Sequence, residues 1–137
     1  MRQRCAGAMV LLCVFAGVFI ARAGFGQEAA ALKVKDSAIC TNVESRTCVD
    51  PKAEFALPVD RLYCFTRITG ASGNTDIAHV WYYGDVERAR IPLAVRTGSY
   101  RTYSYKTIQP HETGKWHVDV VDSSGTVLET IPFEVVP

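Results

Sequence analysis

The sequence lacks any strong imbalance of charge and any block of like charges. Its 137 residues contain 15 Lys and Arg against 14 Asp and Glu. Three basic residues and no acidic ones lie in the first 23 positions, so the rest of the chain carries twelve basic and fourteen acidic residues. This balance gives no electrostatic reason to expect binding to nucleic acid or to anionic membranes. We therefore expect no nucleic-acid partner.

Helical periodicity is also missing from Lys33 onward, because apolar residues do not recur there at intervals of three and four. Instead, β-branched and aromatic residues alternate with polar ones, which is the period of strands. The predicted strands are Lys33 to Thr41, Arg61 to Thr69, Asp76 to Tyr83, Ala89 to Val95, Tyr100 to Ile108, Lys115 to Asp122 and Thr126 to Val136. Seven short strands are typical of a sandwich or a barrel, and we predict an immunoglobulin-like antiparallel β-sandwich.

The first 23 residues form a three-part export pattern. Arg2 and Arg4 precede an uncharged apolar run at 5–21, and Ala21 and Ala23 are the small residues that a signal peptidase reads. The alternative is a membrane anchor at 5–21, but seventeen residues are at the short end of the about 17–25 that a spanning helix needs. We predict a signal peptide at 1–23, a flexible spacer at 24–32 and a single β-sandwich domain at 33–137. The expected location is periplasmic or extracellular, without stable membrane insertion after cleavage.

Cleavage at this point would leave three cysteines, an odd number that leaves one thiol unpaired. Cys40 and Cys48 enclose a short polar segment, and export permits a disulfide between them. Cys64 lies in an apolar run, which favours a small buried side chain over a reactive thiol. We predict a Cys40–Cys48 disulfide, although pairing of either residue with Cys64 is not excluded by the sequence.

Three further features bear on the strands and their connections. Trp116 alternates with Val118 and Val120, and Phe133 and Val135 follow on the next strand, so these five residues are expected in the core of a closing hairpin. Pro92 and Pro132 are expected at strand edges or bulges, since proline donates no ladder hydrogen bond. The stretch at 43–58 contains two prolines and little apolar content, which predicts a long irregular connection.

Several ordered motifs resemble a known bacterial family. They are His79-Val80-Trp81-Tyr82-Tyr83, Arg101-Thr102-Tyr103-Ser104-Tyr105-Lys106, Gly114-Lys115-Trp116, Ala38-Ile39-Cys40, the run from Leu62 to Ile68, and Phe133-Glu134-Val135. Together they make the chain, from about Val34 to Val136, similar to the domain-of-unknown-function family numbered 2914. That family occurs in exported or membrane-anchored bacterial proteins. The resemblance implies no established activity.

Catalytic and metal-binding signatures are scarce. The histidines are His79, His111 and His117, without metal-ligand spacing such as HExxH, and Ser104 has no nucleophile-elbow glycines. We therefore predict no catalytic residue, no metal and no cofactor. The alternative is a small periplasmic hydrolase or metal-dependent enzyme that uses His79, His117 and Asp119, if the strands that carry the two histidines pair.

Aromatic residues concentrate on the third and fifth predicted strands. Strict alternation places Tyr103 and Tyr105 on the face of Arg101, where rings beside a cation suit a sugar or a protein partner. The candidate ligand-binding residues are Arg101, Tyr103, Tyr105, Tyr82 and Lys106. Tyrosines that simply cover an outer sheet face would give the same pattern. We predict a non-catalytic binding or interaction module for an envelope protein or glycan.

Overall fold

The computed structural model describes residues 31–137. The predicted signal peptide, the alternative anchor at 5–21 and most of the predicted spacer lie outside the described residues. Within the described part, no helix has the length and apolar character needed to cross a membrane.

The prediction of an all-β protein is confirmed, since residues 31–137 contain strands and no helix. The strands are β1 (Lys33–Cys40), β2 (Asn42–Glu44), β3 (Thr47–Val49), β4 (Glu54–Ala56), β5 (Arg61–Thr69), β6 (Thr75–Tyr83), β7 (Val86–Val95), β8 (Ser99–Thr107), β9 (Gly114–Asp122) and β10 (Val127–Val136). Seven of the ten, β1 and β5 to β10, correspond to the predicted strands. Alternation of buried apolar and exposed polar side chains therefore located every long strand.

The ten strands form three sheets. One has the order β1-β5-β8, the second has the order β4-β10-β9-β6-β7, and β2 and β3 form a hairpin. All pairs are antiparallel except β4 with β10, which is parallel. Neither larger sheet closes on itself, so each of them leaves two edge strands.

The prediction of an irregular connection at 43–58 is wrong, because this stretch contains most of β2 and all of β3 and β4. Ser45 and Arg46, the two residues between β2 and β3, both have positive φ angles of 49° and 56°. Two consecutive positive φ values are typical of a type I′ hairpin turn, which usually contains Asn or Gly. Sequence reasoning missed the hairpin because Ser-Arg is not a typical pair for that turn.

The two larger sheets contribute to one hydrophobic core. Trp116 and Trp81 both contact Phe133, with ring centroids 6.0 Å apart in each pair. All five residues predicted in the core of the closing hairpin are buried, and β9 pairs with β10 as expected. From the three-stranded sheet, residues such as Leu62 and Ile68 fill the other side of this core.

The two strand prolines lie where no ladder donor is lost. Pro92 is on β7, which is an edge strand. Pro132 is on β10, between β9 and β4, but β4 pairs with β10 only from Glu134 onward. The N–H of Glu134 donates to the carbonyl of Ala53, on the β4 side of β10. The nitrogen of Pro132, two residues earlier, faces the same side, at a point where β4 has not yet begun. The strand is therefore locally an edge at Pro132.

Candidate functional site

The outer face of the three-stranded sheet carries three of the predicted binding residues. Arg101, Tyr103 and Tyr105 alternate with inward-facing residues along β8, so that Ser104 between the tyrosines is buried. The exposed fractions of Tyr103 and Tyr105 are 41% and 48%. The structure therefore brings these three residues together on one exposed face, as alternation predicted, and their role in binding stays a prediction.

A third tyrosine joins this face from the neighbouring strand. Tyr63 on β5 is opposite Tyr105 in the β5–β8 register. Its ring centroid lies 5.8 Å from that of Tyr105 and 6.1 Å from that of Tyr103. We call Tyr63, Tyr103 and Tyr105 the tyrosine strip. Sequence reasoning missed Tyr63 because its place beside β8 depends on which strands pair.

Arginines lie at both ends of the tyrosine strip. The guanidinium of Arg61 is 4.3 Å from the ring centroid of Tyr105, which is a cation–π contact. At the other end Arg101 is opposite Arg67. Arg67 donates a hydrogen bond to Ser99 and lies 3.8 Å from a carboxylate oxygen of Asp36. Among the described residues no carboxylate lies within ion-pair distance of Arg101.

Two shallow clefts adjoin the strip. One, of about 490 Å³, includes Arg61 and Tyr63 in its lining. The other, of about 250 Å³, is lined by Phe65 and Arg101 together with Pro51 and Cys48 near the β2–β3 hairpin. The exposed rings therefore lie between two concave regions that each contain an arginine.

Tyr82 and Lys106, the other two predicted binding residues, do not join this face. Tyr82 lies on the outer face of the five-stranded sheet, where its ring stacks on His117 with centroids 4.7 Å apart. Lys106 is opposite the buried Leu62 in the β5–β8 register, on the other side of β8 from Tyr105. Its Nζ donates a hydrogen bond to the carbonyl of Thr107. Tyr82 is thus on a different sheet from the strip, and Lys106 is on the opposite face of β8.

The alternative catalytic or metal-binding group is not assembled. The strands of His79 and His117 do pair, but His79 is completely buried while His117 faces outward beside Tyr82. The Nε2 of His117 is 3.9 Å from a carboxylate oxygen of Asp119, without His79 nearby on that face. His111 lies in the exposed turn after β8. In residues 31–137, no three His, Cys, Asp or Glu side chains come close enough to hold a metal ion.

His79 instead belongs to a buried polar cluster between the larger sheets. Its Nδ1 lies 2.7 Å from the Oγ of Ser104, and its Nε2 lies 3.0 Å from the Oγ1 of Thr66. Trp81 also donates a hydrogen bond to the Ser104 hydroxyl, at 3.1 Å. Burial lowers the pKa of His79 to about 4, so its ring is neutral at pH 7. His79 and Ser104 are both buried, and their contact joins β6 to β8.

A second buried polar group closes the end of the core near Trp116. Glu112 is 2% exposed, and its carboxylate accepts hydrogen bonds from Arg88 at 2.7 Å and from the backbone N–H of Gln109 at 2.9 Å. Burial alone would raise the pKa of Glu112, but the hydrogen bonds from Gln109 and Arg88 outweigh it and hold that pKa below its usual value. Trp116 donates its indole N–H to the Glu112 carbonyl. The sequence offered no signal for this long-range pair.

The cysteines are arranged as predicted. Cys40 and Cys48 form a disulfide with their Cα atoms 5.7 Å apart, which ties the β2–β3 hairpin to the end of β1. Cys64 is free and completely buried. Burial raises the pKa of its thiol, which therefore stays protonated.

Comparison with known proteins supports the predicted family resemblance. The model of the family described as "Protein of unknown function (DUF2914)" matches residues 74–135, which contain β6 to β9 and most of β10. The resemblance is confirmed over this part of the chain. The matched residues include Tyr103 and Tyr105 but not Tyr63.

Solved structures with some similarity include the crystal structure of beta-glucosidase from Listeria innocua in complex with glucose. The alignment has 16% sequence identity, a TM-score of 0.46 and 78% coverage of this chain. It covers 16% of the Listeria chain, so the present chain spans a small part of that protein's length. No curated protein matches the sequence.

Proposed function

We propose that this protein is a non-catalytic binding module that presents the tyrosine strip to a glycan or protein outside the cytoplasm. The observation that carries the proposal is the exposure of Tyr103 and Tyr105 beside Tyr63 on one sheet face. Aromatic rings with an exposed face suit sugar rings and aromatic or aliphatic side chains. Arg61 and Arg101 add cations at the two ends of the strip.

The rigidity of the support favours this use of the surface. Each tyrosine lies on a nine-residue strand, and β5 and β8 pair without a register shift over their whole length. Side chains on a paired strand lose less conformational freedom on binding than side chains on a loop would lose. The two clefts beside the strip would receive substituents of a ligand that lies along it.

We further propose an immunoglobulin-like β-sandwich for the fold and export for the location. The antiparallel three-stranded and five-stranded sheets, their shared core and the buried Trp81 support the first proposal. The basic and apolar pattern of residues 1–23 supports the second. Intact mass of the protein recovered from outside the cytoplasm tests export, since cleavage after Ala23 gives a chain that begins at Gly24. Recovery of the full 137 residues in the membrane fraction would contradict cleavage and favour the alternative anchor at 5–21.

Binding is tested by replacing Tyr63 with serine. Tyr63→Ser removes the central ring of the strip while leaving β8 unchanged, and Tyr82→Ser is the matched control on the other sheet. Wild-type and variant proteins are compared for retention on cell-wall glycans and for capture of envelope proteins, with circular dichroism to verify folding. We expect Tyr63→Ser to weaken binding about tenfold, which is the scale of one lost aromatic contact, and Tyr82→Ser to leave it unchanged. Equal binding by all three proteins would refute the role of the strip.

A further inference from the structure

The open edge of β8 is unlike the other three edges of the two larger sheets. β7 contains Pro92 and a register shift opposite Trp81 and Tyr82, while β4 has three residues. β1 contains a bulge between Val34 and Asp36, and its Ile39 carbonyl accepts a hydrogen bond from the N–H of Lys52. Such devices protect edges from pairing with other chains. β8 has nine residues, no proline and no register shift against β5.

The backbone groups that point to this open edge can be identified. Ile108 donates its N–H to Asp60, and Gly98 accepts from the N–H of Gly70, so even-numbered residues on and beside β8 face β5. Odd-numbered residues therefore face the open edge. Two side chains agree with this assignment, because Thr97 donates to the Ser99 carbonyl and Lys106 donates to the Thr107 carbonyl.

The carbonyls of Ser99 and Thr107 already accept these side-chain hydrogen bonds. The part of the edge between them, 101–105, has no such bond, and we call it the open run. Its edge-facing groups belong to Arg101, Tyr103 and Tyr105, and no hydrogen-bond partner for them is found within residues 31–137. These residues also carry the exposed side chains of the outer face. A strand added at this edge would thus contact the backbone and the side chains of the same three residues.

We propose that two copies of this protein pair antiparallel through β8, with Tyr103 on the twofold axis. A second copy fits this edge because the run is self-complementary. Pairing Tyr103 with its symmetry mate places Arg101 opposite Tyr105 of the second copy, and the reverse pair forms by symmetry. Each pair exchanges two N–H···O bonds and sets a cation beside a ring. The three-stranded sheets of the two copies then form one continuous sheet.

Other registers are less favourable. Shifting the axis to Thr102 would place Tyr105 opposite Ser99, whose carbonyl is already capped by Thr97. Shifting it to Ser104 would place Arg101 opposite Thr107, whose carbonyl is capped by Lys106. An axis at Arg101 would bring two like charges face to face, which is destabilising. In the register centred on Tyr103, each of Arg101, Tyr103 and Tyr105 is opposite a residue of the open run in the second copy.

The side chains around Tyr105 are compatible with this pairing. Arg61, which lies over the Tyr105 ring, comes from β5, on the side of β8 away from the open edge. Arg101 of the second copy would approach from the open side. The inference does not depend on what ligand the strip binds, and it would set two tyrosine strips side by side in one assembly.

Sedimentation of protein expressed from the full sequence tests the proposal. We expect the wild type to have the mass of a dimer, and Tyr103→Pro, which removes an edge-facing N–H, to have the mass of a monomer. Ala94→Pro is the matched control, because Ala94 lies on β7, an edge of the five-stranded sheet, and has the same parity there as the native Pro92. It should stay dimeric. A monomeric wild type would overturn the proposal, and so would a dimeric Tyr103→Pro. A wild type that stays monomeric and binds an extended peptide at the β8 edge would overturn it as well.

Cysteine cross-linking tests the register independently of any folding defect in the proline variant. Hydrogen-bonded antiparallel pairs have Cα atoms about 5.5 Å apart, within disulfide reach. Mild oxidation should therefore cross-link Tyr103→Cys into covalent dimers, while Arg101→Cys and Tyr105→Cys alone should stay uncrosslinked. The double variant Arg101→Cys/Tyr105→Cys should cross-link. Failure of Tyr103→Cys to cross-link, or equal cross-linking of all single variants, would contradict the register.

Discussion

The Nδ1 atom of His79 lies 2.7 Å from the Oγ of Ser104, and this contact joins β6 of the five-stranded sheet to β8 of the three-stranded sheet. A serine beside a histidine is the start of many catalytic arrangements. Here both side chains are buried, and the other ring nitrogen of His79 bonds to Thr66. We therefore expect the pair to contribute to the free energy of unfolding, and its contribution should depend on pH.

Acidification should destabilise the protein through His79. Because burial lowers its pKa from 6.5 to about 4, the unfolded chain binds a proton in this window that the folded chain does not bind. The free energy of unfolding therefore falls as the pH falls from 7 toward 4.5, by about 2–3 kcal/mol. Urea titrations at pH 7, 6, 5 and 4.5 measure this loss. His79→Gln should flatten the pH dependence, whereas His117→Gln should retain it; an equal slope in both variants would contradict the assignment.

Trp116→Ala should remove about 3–5 kcal/mol of stability, since it leaves a cavity against Phe133 and deletes the indole hydrogen bond to the Glu112 carbonyl. Urea or thermal unfolding measures the change. Tyr103→Ala, which truncates an exposed ring of the strip, is the comparison and should cost much less. Similar losses for the two variants would mean that the hairpin of β9 and β10 does not anchor the core.

Arg88→Ala should destabilise the protein by about 2–3 kcal/mol, because it leaves the buried Glu112 carboxylate without its charged donor. Arg90→Ala is the matched control. Arg90 forms an exposed ion pair with Glu87 at the same distance of 2.7 Å, and loss of that pair should cost under about 1 kcal/mol. Unfolding at pH 7 compares the two variants. If both lose the same amount, burial of Glu112 is not the cause.

The prediction from sequence was most successful where local spacing carries the information. Alternation along β8 placed Arg101, Tyr103 and Tyr105 on one face, and the short polar loop predicted the bond between Cys40 and Cys48. It failed for the hairpin at β2 and β3, because the Ser45-Arg46 turn lacks the usual residues for its conformation.

The sequence by itself determined the class of the fold, since a period of two in the apolar residues can bury one face only if the chain is extended. It also determined which face of its own strand each side chain occupies. Only the tertiary structure decided which strands are neighbours and which sheet each strand joins. For that reason it alone brought Tyr63 to Tyr105, sent Tyr82 to the other sheet and paired Arg88 with Glu112. These relationships depend on contacts between residues far apart in the chain, which no local spacing encodes.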